Sequence, residues 1–313
     1  MKARIFILIC VVPLLFVRTV MHQPEPAGAV ELGRKLFFDP ILSGNFSISC
    51  ASCHKQNLAF ADSVAISPGV NGRLGTRNTP SAMNMRLQER FFWDGRASTL
   101  EQQVLMPIEN PVEMDLPVDS AVARLNADAS YRKAFWRIFS ELPSKRSLAK
   151  ALSAFERSLE TNDSPFDDWR MNGNEDAVSA SAKRGFKVFN TTAKCIQCHF
   201  GPDFNNIEFR NVGLFDGKMH ADSGRSAITH QEADLGKFKI GSLRNIALTA
   251  PYMHNGMFKT LREVIDYYDH PDLIIPGAIN RDTLLARPMQ LTEREKQDLE
   301  SFLVSLTDRR FLK

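Results

Sequence analysis

Two short motifs constrain this chain more than anything else in it. Cys50-Ala-Ser-Cys53-His54 and Cys195-Ile-Gln-Cys198-His199 repeat one Cys-x-x-Cys-His order, 145 positions apart. On a helical turn, positions i, i+3 and i+4 share a face. Two thiols so placed can form thioethers with the two vinyl groups of a haem, and the adjacent imidazole then reaches the iron from the same side. Zinc is an alternative for four cysteines plus histidines, but its cysteine pairs usually stand much closer together. A redox dithiol requires no trailing histidine, let alone two. The motifs therefore favour two covalent haem c groups, held by Cys50, Cys53 and His54 and by Cys195, Cys198 and His199.

A weak internal repeat supports one such group in each half. Gly33-Arg-Lys-Leu-Phe37 precedes the first motif and Gly185-Phe-Lys-Val-Phe189 the second. Each reads as a short helix leading into the haem-binding turn. Leu148, Leu152, Phe155 and Leu159 mark an amphipathic helix after the first motif. Leu299, Phe302, Leu303 and Leu306 mark another at the end, opened by a capping box from Thr292 and Glu295. The turn-rich run Thr161-Asn-Asp-Ser-Pro165 separates the halves. Strand signals are weak. The expected fold is mainly α, with two cytochrome c-like domains over residues 30–163 and 164–313, each with one covalent haem c.

The first twenty residues differ. Lys2 and Arg4 precede an apolar run from Ile5 to Val17, too short to span a bilayer comfortably but suited to a signal-peptide core. Ala27-Gly28-Ala29 offers small residues for cleavage, so residues 1–29 are expected to be a signal peptide and the protein periplasmic; an uncleaved N-terminal anchor is the alternative. Lys2, Arg4 and Arg18 carry the whole formal excess of +3, so the chain beyond them is neutral. That balance argues against a nucleic-acid partner.

Further segments carry a resemblance. Arg77-Asn-Thr-Pro80, Phe92-Trp-Asp-Gly-Arg-Ala97, Pro107-Ile-Glu-Asn-Pro-Val-Glu-Met114 and Leu243-Arg-Asn-Ile-Ala-Leu-Thr-Ala-Pro-Tyr-Met-His-Asn-Gly256 resemble, in order, segments of the bacterial dihaem cytochrome c peroxidases. The resemblance implies that the N-terminal haem meets hydrogen peroxide and the C-terminal haem relays or stores electrons. It makes His54 the proximal ligand of the peroxidatic haem and Glu113 the distal acid–base. Gln103 and Pro107 would line the same pocket, and Trp93 would lie between the haems. It also implies a calcium ion between the domains at Asn78, Thr249 and Pro251. A positioned carboxylate can move a proton from the iron-bound to the leaving oxygen of peroxide. Glu109 is a weaker candidate in the same run, and Arg96 has either a haem propionate or Asp94 to pair with.

Two departures from the better-known family pattern stand out. No histidine occurs between His54 and His199, so the expected loop, Ser63 to Thr79, offers none to cap the peroxidatic iron of the oxidised enzyme. An iron open to peroxide without prior reduction is expected. The second departure is at the sixth ligand of the other haem, where cytochrome c-oxidising members place methionine. Alignment without gaps puts Tyr268 there, with Met253, Met257 and Met289 as alternatives. Tyrosine is a known haem ligand, and its phenolate favours the higher oxidation states of iron. That pattern resembles the MauG/MbnH-like branch, whose members oxidise tryptophans of a partner protein.

Three functions follow. One is a peroxide-driven enzyme that oxidises a protein partner. Another is a peroxidase fed by a small cytochrome c or cupredoxin. The third is a non-enzymatic dihaem electron-transfer cytochrome c, in which Glu113 is incidental. Trp169 and Trp136 are either hole-exit points or packing residues. His254 matches a family histidine without an assigned role, and homodimerisation is left open.

Overall fold

The computed structural model describes residues 27–312. Most of the expected signal segment, residues 1–26, lies outside the described residues. Ala27-Gly28-Ala29 forms the first turn of the helix Ala27–Phe38. Ala29 is buried there, and a Cβ on Gly28 would lie 3.3 Å from Ile138 Cγ1. Among the described residues, no helix is long and apolar enough to cross a membrane.

The architecture is mainly helical, as expected. The strands among the described residues, Phe209–Arg210 and Phe238–Lys239, have two residues each. They pair antiparallel, Phe209 opposite Lys239 and Arg210 opposite Phe238.

The sequence repeat becomes a repeated helix crossing. Ala27–Phe38 packs on Lys145–Ser158, and Ala180–Asn190 packs on Glu293–Ser305. Gly33 and Gly185 sit at the two crossings. A Cβ on Gly33 would lie 1.9 Å from the carbonyl oxygen of Ala151, and one on Gly185 1.9 Å from that of Asp298. Four residues on, Phe37 meets Phe155 edge-on at 5.1 Å between centroids, and Phe189 meets Phe302 at 5.0 Å. The glycine lets two backbones touch; the aromatic pair locks them.

Both later helices begin where the caps say they should. Ser144 Oγ accepts from Ser147 N–H at 3.2 Å, and Thr292 Oγ1 from Glu295 N–H at 3.2 Å, while the Glu295 carboxylate returns a bond to Thr292 N–H at 2.8 Å. Of the four apolar positions expected on the last helix face, Leu299, Phe302 and Leu306 are buried, and Leu303 is partly so.

The crossings predict a stability result. Alanine is the better helix former by about 1 kcal/mol, yet Gly33→Ala or Gly185→Ala must push two backbones apart. Each is expected to destabilise by about 3 kcal/mol net, read from chemical denaturation. A stabilised variant would mean the helices can separate freely.

The apolar core divides between Leu159 and Phe166. One cluster runs from Leu32 to Leu159, a second from Phe166 to Leu306, and a third, smaller one gathers Leu214, Tyr252, Phe258, Tyr267 and Ile275. Leu248 and Phe311 reach back to pack on the first. Asn245 ties the halves: its Nδ2 donates to Thr161 Oγ1 at 2.7 Å, and its Oδ1 accepts from Asp308 N–H at 2.8 Å.

Glu156 breaks the apolar pattern of the helix Lys145–Ser158. It is only 8% exposed, and burial raises its pKa to about 8 against the pull of Arg157. A raised folded pKa stabilises fully below the unfolded value, and that contribution is lost as pH rises towards 8. Glu156→Gln should therefore leave stability unchanged near pH 4 and raise it, by on the order of 4 kcal/mol at most, above pH 8. Thermal melts across that range check the sign.

Candidate functional site

Each cysteine pair sits on a single turn that aims its histidine inward. Cys50–Cys53 is one helical turn, with Ser52 Oγ accepting from Ser49 N–H at 3.0 Å and His54 N–H donating to Cys50 O at 2.9 Å. The second turn is tighter, Cys195–Gln197, and His199 N–H likewise donates to Cys195 O at 2.9 Å. His54 Nδ1 lies 2.9 Å from Phe60 O, and His199 Nδ1 lies 2.9 Å from Phe204 O. A carbonyl can only accept, so Nδ1 carries the proton and Nε2 keeps its lone pair for a metal. Burial lowers both imidazole pKa values, which keeps them neutral.

The thiols fit haem attachment. All four are free. Burial pushes Cys50 and Cys195 up to about 12, whereas a redox dithiol needs a depressed pKa. Among the described residues no cluster of three or more His, Cys, Asp or Glu could hold a metal ion. The donor set is that of haem c: two thiols and one oriented imidazole per half.

Glu113 stands beside the first turn, close enough for its charge to raise the pKa of the Cys50 and Cys53 thiols. Burial raises its own pKa, opposed by a hydrogen bond from Asn110 Nδ2 to its Oε1 at 2.7 Å and by the charge of Arg96. Gln103 ends the short helix Leu100–Gln103. Its Oε1 is buried with no hydrogen-bond partner, an orphaned acceptor that awaits a donor. Pro107 O accepts from Met114 N–H at 3.2 Å and closes the turn that presents Glu113. Glu109 faces elsewhere: its Oε1 accepts from Val118 N–H at 3.2 Å, at the start of the helix Val118–Ala127.

The segment from Ser63 to Thr79 lies against this carboxylate's backbone. Asp62 organises it, accepting from Lys55 Nζ at 2.5 Å, Ser63 N–H at 2.7 Å and Ser67 Oγ at 2.6 Å. Val70 N–H donates to Glu113 O at 2.7 Å, and a Cβ on Gly69 would lie 2.2 Å from Val112 O. The loop is thus clamped onto the turn that carries Glu113.

Trp93 lies at the seam of the halves. Its indole Nε1–H donates to Asn78 O at 2.8 Å, and its carbonyl accepts from Lys239 N–H at 2.8 Å. Asn78 N–H donates in turn to His254 O at 2.7 Å, and Asn78 Nδ2 to Ala65 O at 3.1 Å. The Asn78 amide therefore offers Oδ1, and Thr249 and Pro251 lie on the adjoining strand of chain just before His254. His254 stacks on Phe238, 3.7 Å between centroids, and burial lowers its pKa to about 4. Arg96 pairs with Asp94, its Nη1 3.0 and 3.1 Å from the two carboxylate oxygens. Sequence reasoning missed three partners here. Arg77 binds Asp222 through Nε and Nη2, at 2.7 and 2.8 Å, and Asp94 through Nη1. Lys239 Nζ donates to Gln88 at 2.7 Å and is depressed by burial to about 8. These pairings join residues up to 151 positions apart, and no local signal marks them.

Tyr268 lies on the helix Leu261–Asp269. The chain has four tyrosines. Tyr131 donates its hydroxyl to Asp39, Tyr252 to Ile246 O and Tyr267 to Val212 O. Tyr268 makes no such bond among the described residues; burial and the charges of Tyr267, Cys198 and Cys195 raise its pKa. Its phenol is therefore beside the second cysteine pair, with its oxygen uncommitted. Of the methionine alternatives, Met257 sulfur already accepts from Asn255 Nδ2 at 3.7 Å, while Met289 packs against the second core cluster.

Known proteins resemble this chain over most of its length. The family model for di-haem cytochrome c peroxidase matches residues 27–176. The chain is 38% identical to methylamine utilization protein MauG of Methylorubrum extorquens, over 91% of this chain and 79% of that one. It is 35% identical to cytochrome c551 peroxidase of Nitrosomonas europaea, over 78% of this chain and 73% of that one. Among solved structures it resembles a MauG-like protein associated with microbial copper homeostasis, at 35% identity and a TM-score of 0.83, covering 93% of this chain and 92% of that one. With two Cys-x-x-Cys-His turns, a carboxylate beside the first and this breadth of likeness, the chain belongs to the dihaem cytochrome c peroxidase family and is a peroxidase-type oxidoreductase acting on hydrogen peroxide.

Proposed function

We propose that peroxide is reduced in the N-terminal half, that the C-terminal half holds oxidising equivalents rather than collecting electrons from a cytochrome c, and that the physiological reductant is a side chain of a partner protein. Two haem c groups, attached at Cys50/Cys53 and Cys195/Cys198, would supply the redox chemistry. The observation that carries this reading is the uncommitted hydroxyl of Tyr268 beside the second cysteine pair.

The chain's own residues divide the work. Glu113, its pKa raised by burial and its Oε1 held by Asn110, takes a proton from bound peroxide and returns it to the departing oxygen. Gln103 supplies a fixed acceptor in the same pocket. The histidine-free Ser63–Thr79 segment leaves that pocket open. Trp93, anchored at both its indole and its carbonyl, bridges the halves. Asn78, Thr249 and Pro251 would hold a calcium ion there through oxygen atoms. The protein acts after export, with residues 1–29 serving as the signal peptide.

Steady-state assays with peroxide and reduced small cytochrome c test this. The proposal expects fast reaction with peroxide but turnover of the cytochrome at under about 1 s⁻¹, the lower end of ordinary kcat values. Turnover at hundreds per second would assign the chain to cytochrome c-fed detoxification instead.

A further inference from the structure

We propose that Trp169 is the outlet through which oxidising equivalents leave the C-terminal half, to be quenched there by a one-electron donor. The inference rests on the peroxidase reading above and extends it to one surface side chain.

A continuous contact chain leads there from the second histidine. His199 Nδ1 is 2.9 Å from Phe204 O. The Phe204 ring meets Phe166 edge-on at 5.2 Å between centroids, and Phe166 meets Trp169 edge-on at 6.0 Å. Phe166 and Phe204 are buried, whereas Trp169 is partly open to solvent. The path thus runs from a candidate iron ligand through one hydrogen bond to the Phe204 backbone and two edge-on ring contacts to the surface, ending at the side chain easiest to oxidise.

The end of the path is also equipped for a proton. Trp169 Nε1 lies 3.3 Å from both carboxylate oxygens of Glu175. Lys183 donates to Glu175 at 2.5 Å and holds its pKa down, so the acceptor is ionised. An oxidised indole is a far stronger acid than the parent. The cations flanking the ring, Arg170 at 5.2 Å and Lys183 at 5.8 Å, oppose a positive charge on it. Both effects drive the N–H proton onto Glu175 and leave a neutral radical.

The balance is simple. Peroxide takes up two electrons and two protons to give two waters. Trp169 supplies those electrons one at a time, each time passing its proton to Glu175; the donor then returns an electron, and Glu175 the proton, so that two one-electron donors are oxidised per peroxide. Without a donor, Trp169 loses a second electron and takes up water, for a net gain of one oxygen atom.

Trp136 provides an internal control. It is 62% exposed, more open than Trp169, but among the described residues no aromatic ring contact leads to it. Dihaem protein is titrated with hydrogen peroxide without a donor, followed by haem absorbance, and then digested for peptide mass spectrometry. The expected result is oxygen addition at Trp169 at least fivefold ahead of Trp136. In Trp169→Phe the spectral response to peroxide should form at the wild-type rate and decay at least threefold more slowly, with Trp169→Tyr restoring the decay. Haem bands that respond while Trp169 stays unmodified, or oxidation led by Trp136, would overturn the outlet alone. Haem bands that never respond would overturn the peroxidase reading and the outlet with it.

Discussion

Glu113→Gln is expected to lower kcat/KM for hydrogen peroxide by about 10²–10⁴-fold, the usual worth of a positioned acid–base. The substitution keeps shape and hydrogen-bonding capacity but removes the exchangeable proton. Burial raises the pKa of Glu113, so the acid form persists above the ordinary carboxylate range. The wild-type pH profile should therefore bend above that range, and Glu113→Gln should erase the bend. Glu109→Gln serves as the control. It preserves an acceptor for Val118 N–H and should change the rate less than twofold, since cap exchanges act on stability, by about 1 kcal/mol. Equal losses in the two variants would remove Glu113 from its assigned role.

Tyr268→Met should raise the reduction potential of the C-terminal haem by roughly 0.1 V or more, a fraction of the ~0.8 V that axial ligands command. A thioether favours the reduced metal and a phenolate the oxidised one. The variant should gain turnover with reduced cytochrome c and lose its ability to hold oxidising equivalents. Potentiometric titration followed by absorbance reads the shift. An unchanged potential would mean that Tyr268 is not a ligand and that its open hydroxyl has another use.

The parts legible in the sequence were those whose signal is local. Each Cys-x-x-Cys-His run specifies a turn and a ligand within five residues. The Gly33/Phe37 and Gly185/Phe189 spacings anticipate the helix crossings because one residue must be small and the next aromatic one turn later. The Thr292/Glu295 cap opened its helix where expected. What stayed hidden depends on chain pairing across the fold. Glu156 shares the helix face of Leu148 and Leu152, but its residue type gives no sign that it is buried there. The Asp62 hub and the Arg77 bridge to Asp94 and Asp222 join distant segments through charge, which leaves no periodic mark. Glu109 and Glu113 share one short run, and the resemblance alone ranks Glu113 first. The fold adds that Glu109 caps a helix while Glu113 stands by the first cysteine pair.

The most direct test of the central claim is electron paramagnetic resonance of the fully oxidised dihaem protein, before and after one equivalent of hydrogen peroxide. The account predicts one high-spin and one low-spin haem signal at rest, both lost on adding peroxide without prior reduction. Two low-spin signals that ignore peroxide until an electron is supplied would contradict it.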